Sequence, residues 1–421
     1  MSAWRRFLNK LGPGLITGAA DDDPSGIATY SQGGALFGFG TLWALVFTYP
    51  LMVAIQTASA RIGLVTGRGL AANLRRAYPA WLMHFVVYAL LFANTLNIGA
   101  DLAAMGQSMA LLKLGPGQLW AAFFGLFTLS LQILFPYQRY VRWLKFLTLG
   151  LLAYVGTVLV VDVPWLAVLR QVVLPPLSLD RNYVLTVVAI LGTTISPYLF
   201  FWQAAQEVEE LQVRRKGLGL RRRPLDADEE LHRVRVDTSF GMGFSNLVAF
   251  FIMVTTGTVL HGHGVTNITT TAQAAQALRP LAGDAAYLLF SLGIIGTGLL
   301  AVPVLSGSAA YAWAESHGLP AGMDHRIDAA KGYYGVMAVA VVIGVLINFT
   351  PLHPIQALYY SAVVNGIVSV PIMAVIMHMV SRRQLMGRFV VSGRLRTLGW
   401  LATAVMALAV AILFWSLLQG N

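Results

Sequence analysis

The chain has 421 residues, of which 57% are apolar and only 11% are charged. An ordinary soluble domain carries about 25% charged residues, so this composition excludes a water-soluble globule. A bilayer accommodates such a chain, because ~20 apolar residues cross its hydrocarbon core as one helix. The sequence contains no cysteine, which excludes disulfide bonds, thiol catalysis and thiolate metal sites.

Hydropathy predicts an all-α membrane protein with about eleven spans. The predicted segments are 11–38, 41–62, 81–108, 116–135, 145–163, 182–210, 238–260, 284–314, 333–349, 353–381 and 397–418. With a cytoplasmic N-terminus, this count places 25 of the 29 basic residues on the cytoplasmic side. That asymmetry is the positive-inside pattern, and it assigns the basic residues to lipid headgroups rather than to nucleic acid. We expect a bacterial inner-membrane protein with a periplasmic C-terminus.

Two of the predicted spans are interrupted by runs that contain proline. The first has Asp-Asp-Asp-Pro-Ser-Gly at 21–26, and the sixth has Thr-Thr-Ile-Ser-Pro at 193–197. Proline removes a backbone donor and disfavours a helical residue before it, so both helices should break near mid-membrane. Pro24 and Pro197 lie 173 residues and five spans apart, so the broken helices enter from opposite sides. This predicts an inverted-repeat transporter whose site lies at the breaks.

The predicted organisation is one transmembrane transport domain. It comprises repeat one at about 11–163, repeat two at about 182–381, an extra helix at about 397–418 and a cytoplasmic loop at 211–235.

Asp23 is the first candidate ligand. A carboxylate at mid-membrane costs about 2.5–3.5 kcal/mol, and no lysine or arginine lies at comparable depth in the predicted spans. Its charge partner is therefore predicted to be a bound cation. Backbone carbonyls near Thr193 and the Ser196 hydroxyl would complete an oxygen-lined site, which hard cations prefer. The alternative is that Asp23 is protonated or caps a helix.

Span three carries Asn94, Asn97 and Asp101. At ~100° per residue they fall within about 60° of one another, which predicts one polar stripe facing the bundle. Asp101 is a candidate for a proton path or a structural carboxylate, and a hydrogen-bonded packing role is the alternative.

Five further polar residues are candidates for the pathway. Gln203 shares a helical face with the serine at the second break, and Asn365 is contributed by span ten. Asp21, Asp22 and Glu207 lie toward the cytoplasm and could form an inner vestibule that concentrates cations. For Glu207, a solvated helix end is the alternative.

Four short motifs resemble those of the NRAMP divalent-metal transporter family. They are Gly-Pro-Gly at 12–14, Asp-Pro-Ser-Gly at 23–26, Ala-Asp-Leu-Ala at 100–103 and Ser-Pro-Tyr at 196–198. The similarity extends along spans one to ten. The resemblance implies the LeuT fold, a 5+5 inverted repeat with here one extra helix, and transport of a divalent cation.

The resemblance also implies a ligand set, from which this chain departs. In the family an aspartate, an asparagine, a methionine and a sixth-span carbonyl bind the metal. Here Asp23 is retained, Gly26 replaces the asparagine, Ser196 replaces the methionine, and Thr193 lies at the carbonyl position. Losing the thioether favours hard ions over softer transition metals. The pattern is similar to the Nramp-related magnesium transporter branch.

The family's proton-handling residues are also replaced. Tyr198 replaces the family's histidine, and Ala104 replaces the family's glutamate on span three. Span nine lacks an arginine that the family has. We therefore expect a carrier of Mg²⁺ or Mn²⁺ that is weakly or not coupled to protons. We expect it to be monomeric, to have no catalytic activity and to need no cofactor besides the transported ion. The alternatives are a proton-coupled Mn²⁺/Fe²⁺ importer, a sodium-coupled amino-acid carrier of the same fold, and a non-transporting membrane sensor.

Overall fold

The computed structural model describes residues 13–135, 150–215, 219–222, 227–323, 325–350 and 353–419. In these residues the regular secondary structure is entirely helical. The helices are α1 Pro13–Asp21, α2 Pro24–Phe37, α3 Leu42–Thr66, α4 Leu70–Ala77, α5 Ala80–Leu111, α6 Gly117–Leu134, α7 Leu152–Val160, α8 Trp165–Val173, α9 Arg181–Thr194, α10 Pro197–Arg215, α11 Ala227–Val259, α12 Thr271–Gln276, α13 Arg279–Ala282, α14 Ala286–His317, α15 Lys331–Ile347, α16 Pro354–Ser381, α17 Arg383–Met386 and α18 Gly393–Leu418.

Eight helical stretches of the described residues are long and apolar enough to cross a membrane. They correspond to predicted spans two, three, four, six, seven, eight, ten and eleven. The first predicted span is divided into the short helices α1 and α2, and the ninth is the 17-residue apolar helix α15. The fifth, 145–163, lies partly outside the described residues and contains α7 in its described part.

Both predicted helix breaks are present at the expected positions. Asp22 and Asp23 separate α1 from α2, while Ile195 and Ser196 separate α9 from α10. In each case the second helix starts with proline, whose missing N–H would be unpaired in a first turn anyway. The breaks therefore follow from local sequence.

Glycines let the broken helices pack closely against unbroken ones. A β-carbon on Gly18 of α1 would lie 2.2 Å from the Gly241 carbonyl oxygen of α11, and one on Gly192 of α9 would lie 2.1 Å from the Ala362 carbonyl oxygen of α16. Side chains at both contacts are excluded, as is usual where membrane helices approach closely. The two breaks are consequently held between α11 and α16.

The predicted loop 211–235 is shorter in the structure. Helix α10 continues to Arg215 and α11 begins at Ala227, so much of the charged segment is helical. Between them, Leu220 N–H donates to the Leu64 carbonyl at 3.1 Å, fixing this part of the connection to the end of α3. The helical part of this segment contains an ion pair between Arg233 and Glu230 at 2.9 Å.

Candidate metal site at the two helix breaks

Asp23 caps the second half of the first broken helix. Its backbone is extended, with φ −69° and ψ 168°, and its Oδ1 accepts the Gly26 N–H at 2.6 Å. A side-chain oxygen in this position satisfies an N–H group that the helix leaves unpaired. Asp23 therefore does cap a helix, which was the alternative considered from the sequence. This hydrogen bond uses Oδ1, one of its two carboxylate oxygens.

The second carboxylate oxygen of Asp23 faces two other helices. The Asn97 amide of α5 donates to Oδ2 at 2.9 Å. The Tyr198 hydroxyl of α10 lies 3.4 Å from Oδ2 and 3.1 Å from the Ala20 carbonyl, so its one proton serves one acceptor at a time. Asp23 is only 2% exposed, and no basic side chain of the described residues forms an ion pair with it.

The second break presents neutral oxygens. The Ser196 hydroxyl lies 2.8 Å from the Thr193 carbonyl oxygen and 3.0 Å from the Gly192 carbonyl oxygen, and its one proton serves one of them at a time. Two of the predicted ligand oxygens are thus hydrogen-bonded to each other. Each retains lone pairs, because a carbonyl and a hydroxyl oxygen both have two.

Gly26 is the point at which the two breaks meet. A β-carbon there would lie 3.1 Å from Thr193 Oγ1 and 3.4 Å from the Asp21 carbonyl oxygen. Gly26 itself has no side-chain donor, so its contribution is the close approach and its N–H. The structure thus brings Asp23, Gly26 and Thr193 together.

Two serines that sequence reasoning missed complete the hydrogen-bond network. Ser361 of α16 donates to Asn97 Oδ1 at 2.8 Å, and Ser25 Oγ lies 3.1 Å from Ser361 Oγ. Ser25 also donates to the Leu358 carbonyl at 2.9 Å. A hydroxyl within the Asp-Pro-Ser-Gly motif was a usable signal for Ser25, whereas Ser361 is one of three serines in predicted span ten and lies in no motif.

The other polar residues of span three differ in their surroundings. Asp101 is fully buried, close enough to Asp23 for their charges to interact, and near the Ser25 N–H. Asn94 instead donates to the Leu305 carbonyl at 2.9 Å and to Ser308 Oγ at 2.7 Å. The predicted stripe therefore divides, with Asn97 at the site and Asn94 packed against α14.

Asp21 and Asp22 do not line an open vestibule in this structure, so their role in a vestibule stays a prediction. They are 1% and 2% exposed, and the Ser245 hydroxyl of α11 lies 2.7 Å from Asp21 Oδ2 and 3.1 Å from Asp22 Oδ1, donating its one proton to either. Nearby, Asp237 Oδ2 accepts the Gly14 N–H at 2.7 Å. Helix α1 is thus docked on α11 through these contacts.

Gln203 and Asn365 are buried near the breaks. Gln203 accepts from the Gln56 amide at 2.5 Å and donates to Thr238 Oγ1 at 2.8 Å. Asn365 has an amide oxygen without a hydrogen-bond partner among the described residues. Neither forms a hydrogen bond with Asp23 in the described network.

Glu207 is neither in a vestibule nor at a solvated helix end. It is fully buried, and Arg233 Nη2 lies 2.8 Å from its Oε2. Arg233 also pairs with Glu230 at 2.9 Å and approaches Glu210 at 3.3 Å. The arginine lies in α11, which begins earlier than the predicted span seven, so this pairing of α10 with α11 was not foreseen.

The predicted ligands therefore offer one carboxylate, that of Asp23, and several neutral oxygens. No cluster of three or more histidine, aspartate or glutamate residues able to hold a metal ion occurs within the described ranges. An ion bound beside Asp23 would need ligands other than protein carboxylates to complete its coordination shell.

Comparison with known proteins identifies the family. The profile of natural resistance-associated macrophage protein-like (Nramp) proteins matches residues 14–416. The chain belongs to the Nramp family. It is 27% identical to the protein named divalent metal cation transporter MntH of Deinococcus radiodurans, over 99% of this chain and 92% of that relative.

Solved structures agree on the fold of this Nramp chain. The crystal structure of the Eremococcus coleocola manganese transporter, in complex with an aromatic bis-isothiourea substituted compound, matches with a TM-score of 0.71 at 16% identity, over 97% of this chain and 86% of that one. The inward-facing conformation of Mhp1 matches with a TM-score of 0.51 at 12% identity, over 97% and 91%. The predicted family and LeuT-like fold are confirmed, and the MntH relatives are named as transporters rather than enzymes, as expected. The ion, its coupling and the ligand set remain predictions.

Proposed function

We propose that this Nramp protein carries a hard divalent cation, Mg²⁺ or Mn²⁺, by alternating access around the two helix breaks. One observation carries the proposal: Asp23 is a buried carboxylate at the contact between the breaks, with no ion-pair partner among the described residues. The names of the similar proteins, divalent metal cation transporter and manganese transporter, support a metal ion as the substrate.

The donors around Asp23 favour an ion that keeps part of its water shell. A carboxylate has about four lone-pair directions, and the Gly26 N–H and the Asn97 amide already use two of them. The other proposed ligands, Thr193 and Ser196, supply neutral oxygens and no sulfur. Mg²⁺ gives up its waters reluctantly and binds through few protein ligands, so such a site suits it better than an ion that needs a thioether.

Opening toward the N-terminal side of α1 requires this helix to leave α11. The contacts that must part are Gly14 N–H with Asp237, and Ser245 with Asp21 and Asp22. We propose that this structure represents a state closed on that side, with the ion released there once α1 moves. Asp21 and Asp22 would then be exposed beside the exit.

We further propose that transport is weakly coupled or uncoupled to protons. Tyr198 and Ala104 occupy positions where the family has a histidine and a glutamate, and neither substitute exchanges protons near neutral pH. Internal acidification that follows metal influx in liposomes loaded with a pH-sensitive dye would contradict this part.

The proposed placement is a bacterial inner membrane, with the N-terminus in the cytoplasm and the C-terminus in the periplasm. We propose a single monomeric transport domain surrounded by lipid, with the ion as substrate and no resident cofactor. Labelling of engineered terminal cysteines with an impermeant reagent in intact cells would test the orientation, and light scattering of the purified protein would test the oligomeric state.

The deciding experiment is ion uptake by the purified chain in proteoliposomes. Dyes for Mg²⁺ and Mn²⁺ inside the vesicles should report influx of at least one ion, and Asp23→Ala should abolish it. Absence of flux for both ions, or undiminished flux in Asp23→Ala, overturns the proposal. Titration calorimetry tests the alternative of an organic-solute carrier. Binding of an amino acid without binding of a divalent cation would favour that alternative.

A further inference from the structure

A cavity of about 260 Å³ lies beside the candidate metal site rather than within it. Its walls are the second half of α5, the start of α6, the end of α15 and the first turns of α16. Under the proposed topology, these four helix ends lie on the outer side of the membrane. Gln118, Gln356 and Tyr360 are exposed at the mouth, and Ser361 is only 3% exposed at the floor.

The floor of the cavity is two hydrogen bonds away from Asp23. Ser361 donates to Asn97 Oδ1 at 2.8 Å, and the Asn97 amide donates to Asp23 Oδ2 at 2.9 Å. A second space, beside α2 and lined by Ile27 and Leu358, has a volume of only about 10 Å³. It is too small to hold a hydrated ion. The larger cavity is thus an open space that adjoins the hydrogen-bond network of the site.

The lining suits a hydrated cation better than a bare one. It includes the amides of Gln107, Gln118, Asn348 and Gln356, and it contains no lysine, arginine, aspartate or glutamate. Amide oxygens accept hydrogen bonds from water, but without a carboxylate they cannot replace a tightly held hydration shell.

Charge and size agree with this reading. Asp101 directly follows Ala100 of the cavity wall and is fully buried, and the Asp23 carboxylate lies two hydrogen bonds beyond the floor. At ~30 Å³ per water, the cavity holds on the order of ten waters. An octahedral cation with its shell of about six waters therefore fits inside.

We propose that this cavity is an outer antechamber, which holds a hydrated divalent cation before it reaches Asp23 through Ser361 and Asn97. The inference rests on the proposed function and adds to it a second binding position and an entry route. The cation is held there through its waters, so the antechamber governs capture of the ion rather than its passage across the breaks.

The natural absence of cysteine makes the antechamber directly testable. Ser361→Cys introduces a single thiol at the floor, and a cationic, membrane-impermeant methanethiosulfonate should modify it from outside intact cells. We expect the anionic reagent to react about tenfold more slowly after correction for intrinsic reactivity, and saturating Mn²⁺ to slow the cationic reagent at least threefold. Gln356→Cys at the mouth is the positive control for folding, and Ser245→Cys, buried on α11, should not react.

Two outcomes overturn the antechamber. One is an unreactive Ser361→Cys in cells where Gln356→Cys reacts, since the floor would then be closed to the outside. The other is a reactive Ser361→Cys that Mn²⁺ does not protect in a protein that transports Mn²⁺, because the cavity would then admit only water.

Transport kinetics provide a second test that does not depend on the serine. The double variant Gln107→Leu/Gln356→Leu should raise the KM for Mn²⁺ about fivefold with kcat unchanged, while Gln212→Leu, exposed on α10, should change neither. An unchanged KM in an active double variant overturns the antechamber alone. Absence of Mn²⁺ and Mg²⁺ transport by the unmodified chain would instead count against the proposed function.

Discussion

The Asn97 amide donates to Asp23 Oδ2 at 2.9 Å, although 74 residues separate them in the chain. This contact joins an intact helix, α5, to the break in the first span. The Asn97 carbonyl oxygen accepts from Ser361 in turn. The orientation of the proposed metal-binding carboxylate is thus set by three elements that are distant in sequence.

Replacing Asn97 should destabilise the ion-free protein and increase its response to a cation. A hydrogen bond to a charged acceptor contributes about 1.5–3 kcal/mol, so Asn97→Ala should lower the melting temperature. Mn²⁺ can occupy the oxygen that the amide has vacated, so it should restore more stability in the variant than in the unmodified protein. Thermal unfolding with and without Mn²⁺ measures both effects.

Asn94→Ala is the matched control, because Asn94 is one turn away, equally buried and bonded to α14 instead. It should lose stability without a larger response to Mn²⁺. Equal responses in both variants would refute the assigned role of Asn97.

Adding a methyl group where the breaks meet should impair transport. A β-carbon at Gly26 would lie 3.1 Å from Thr193 Oγ1 and 3.3 Å from the Tyr30 ring, which forces the breaks apart by a few tenths of an ångström. We expect Gly26→Ala to reduce Mn²⁺ uptake about tenfold, because metal geometry tolerates errors of only about 0.2 Å. Gly335→Ala on α15 meets no atom within 4 Å and should transport normally. Comparable uptake by both variants would show that the close approach is dispensable.

Restoring sulfur at the second break should change ion preference. Ser196→Met supplies a thioether, which binds softer metals and contributes nothing to Mg²⁺. Competition assays should show at least a tenfold rise in the preference for Cd²⁺ over Mg²⁺. Ser196→Ala removes the hydroxyl without adding sulfur, so it separates loss of the native ligand from gain of the new one. If Ser196→Met and Ser196→Ala have the same ion preference, position 196 does not contact the ion.

Removing Arg233 should be far more harmful than removing an exposed arginine. Loss of the cation leaves Glu207 buried without its ion-pair partner, and an uncompensated buried charge costs about 3–5 kcal/mol. We expect Arg233→Gln to lower the melting temperature strongly, and additional Glu207→Gln to recover part of the loss.

The control for Arg233 is Arg279, which forms a solvent-exposed pair with Asp284 at 3.6 Å. Arg279→Gln should leave the melting temperature unchanged, because exposed ion pairs contribute little. Equal effects at the two arginines would mean that the buried cluster does not stabilise the junction of α10 with α11.

The sequence alone was sufficient for the features that have local causes. The breaks before Pro24 and Pro197 follow from a missing backbone donor, and the helical spans follow from hydropathy. The importance of Asp23 also needed no structure, since a carboxylate within an apolar span requires a compensating partner.

Only the tertiary structure decided what each polar side chain contacts. Glu207 lies 26 residues before Arg233, and Asp21 lies 224 residues before Ser245, so no helical periodicity relates them. Hydropathy measures how polar a residue is, but a buried polar group is satisfied by whichever helix packs against it. Asp21 and Asp22, which the sequence placed in a vestibule, therefore contact α11 in this structure, and Ser361 connects the outer cavity to Asn97 beside Asp23.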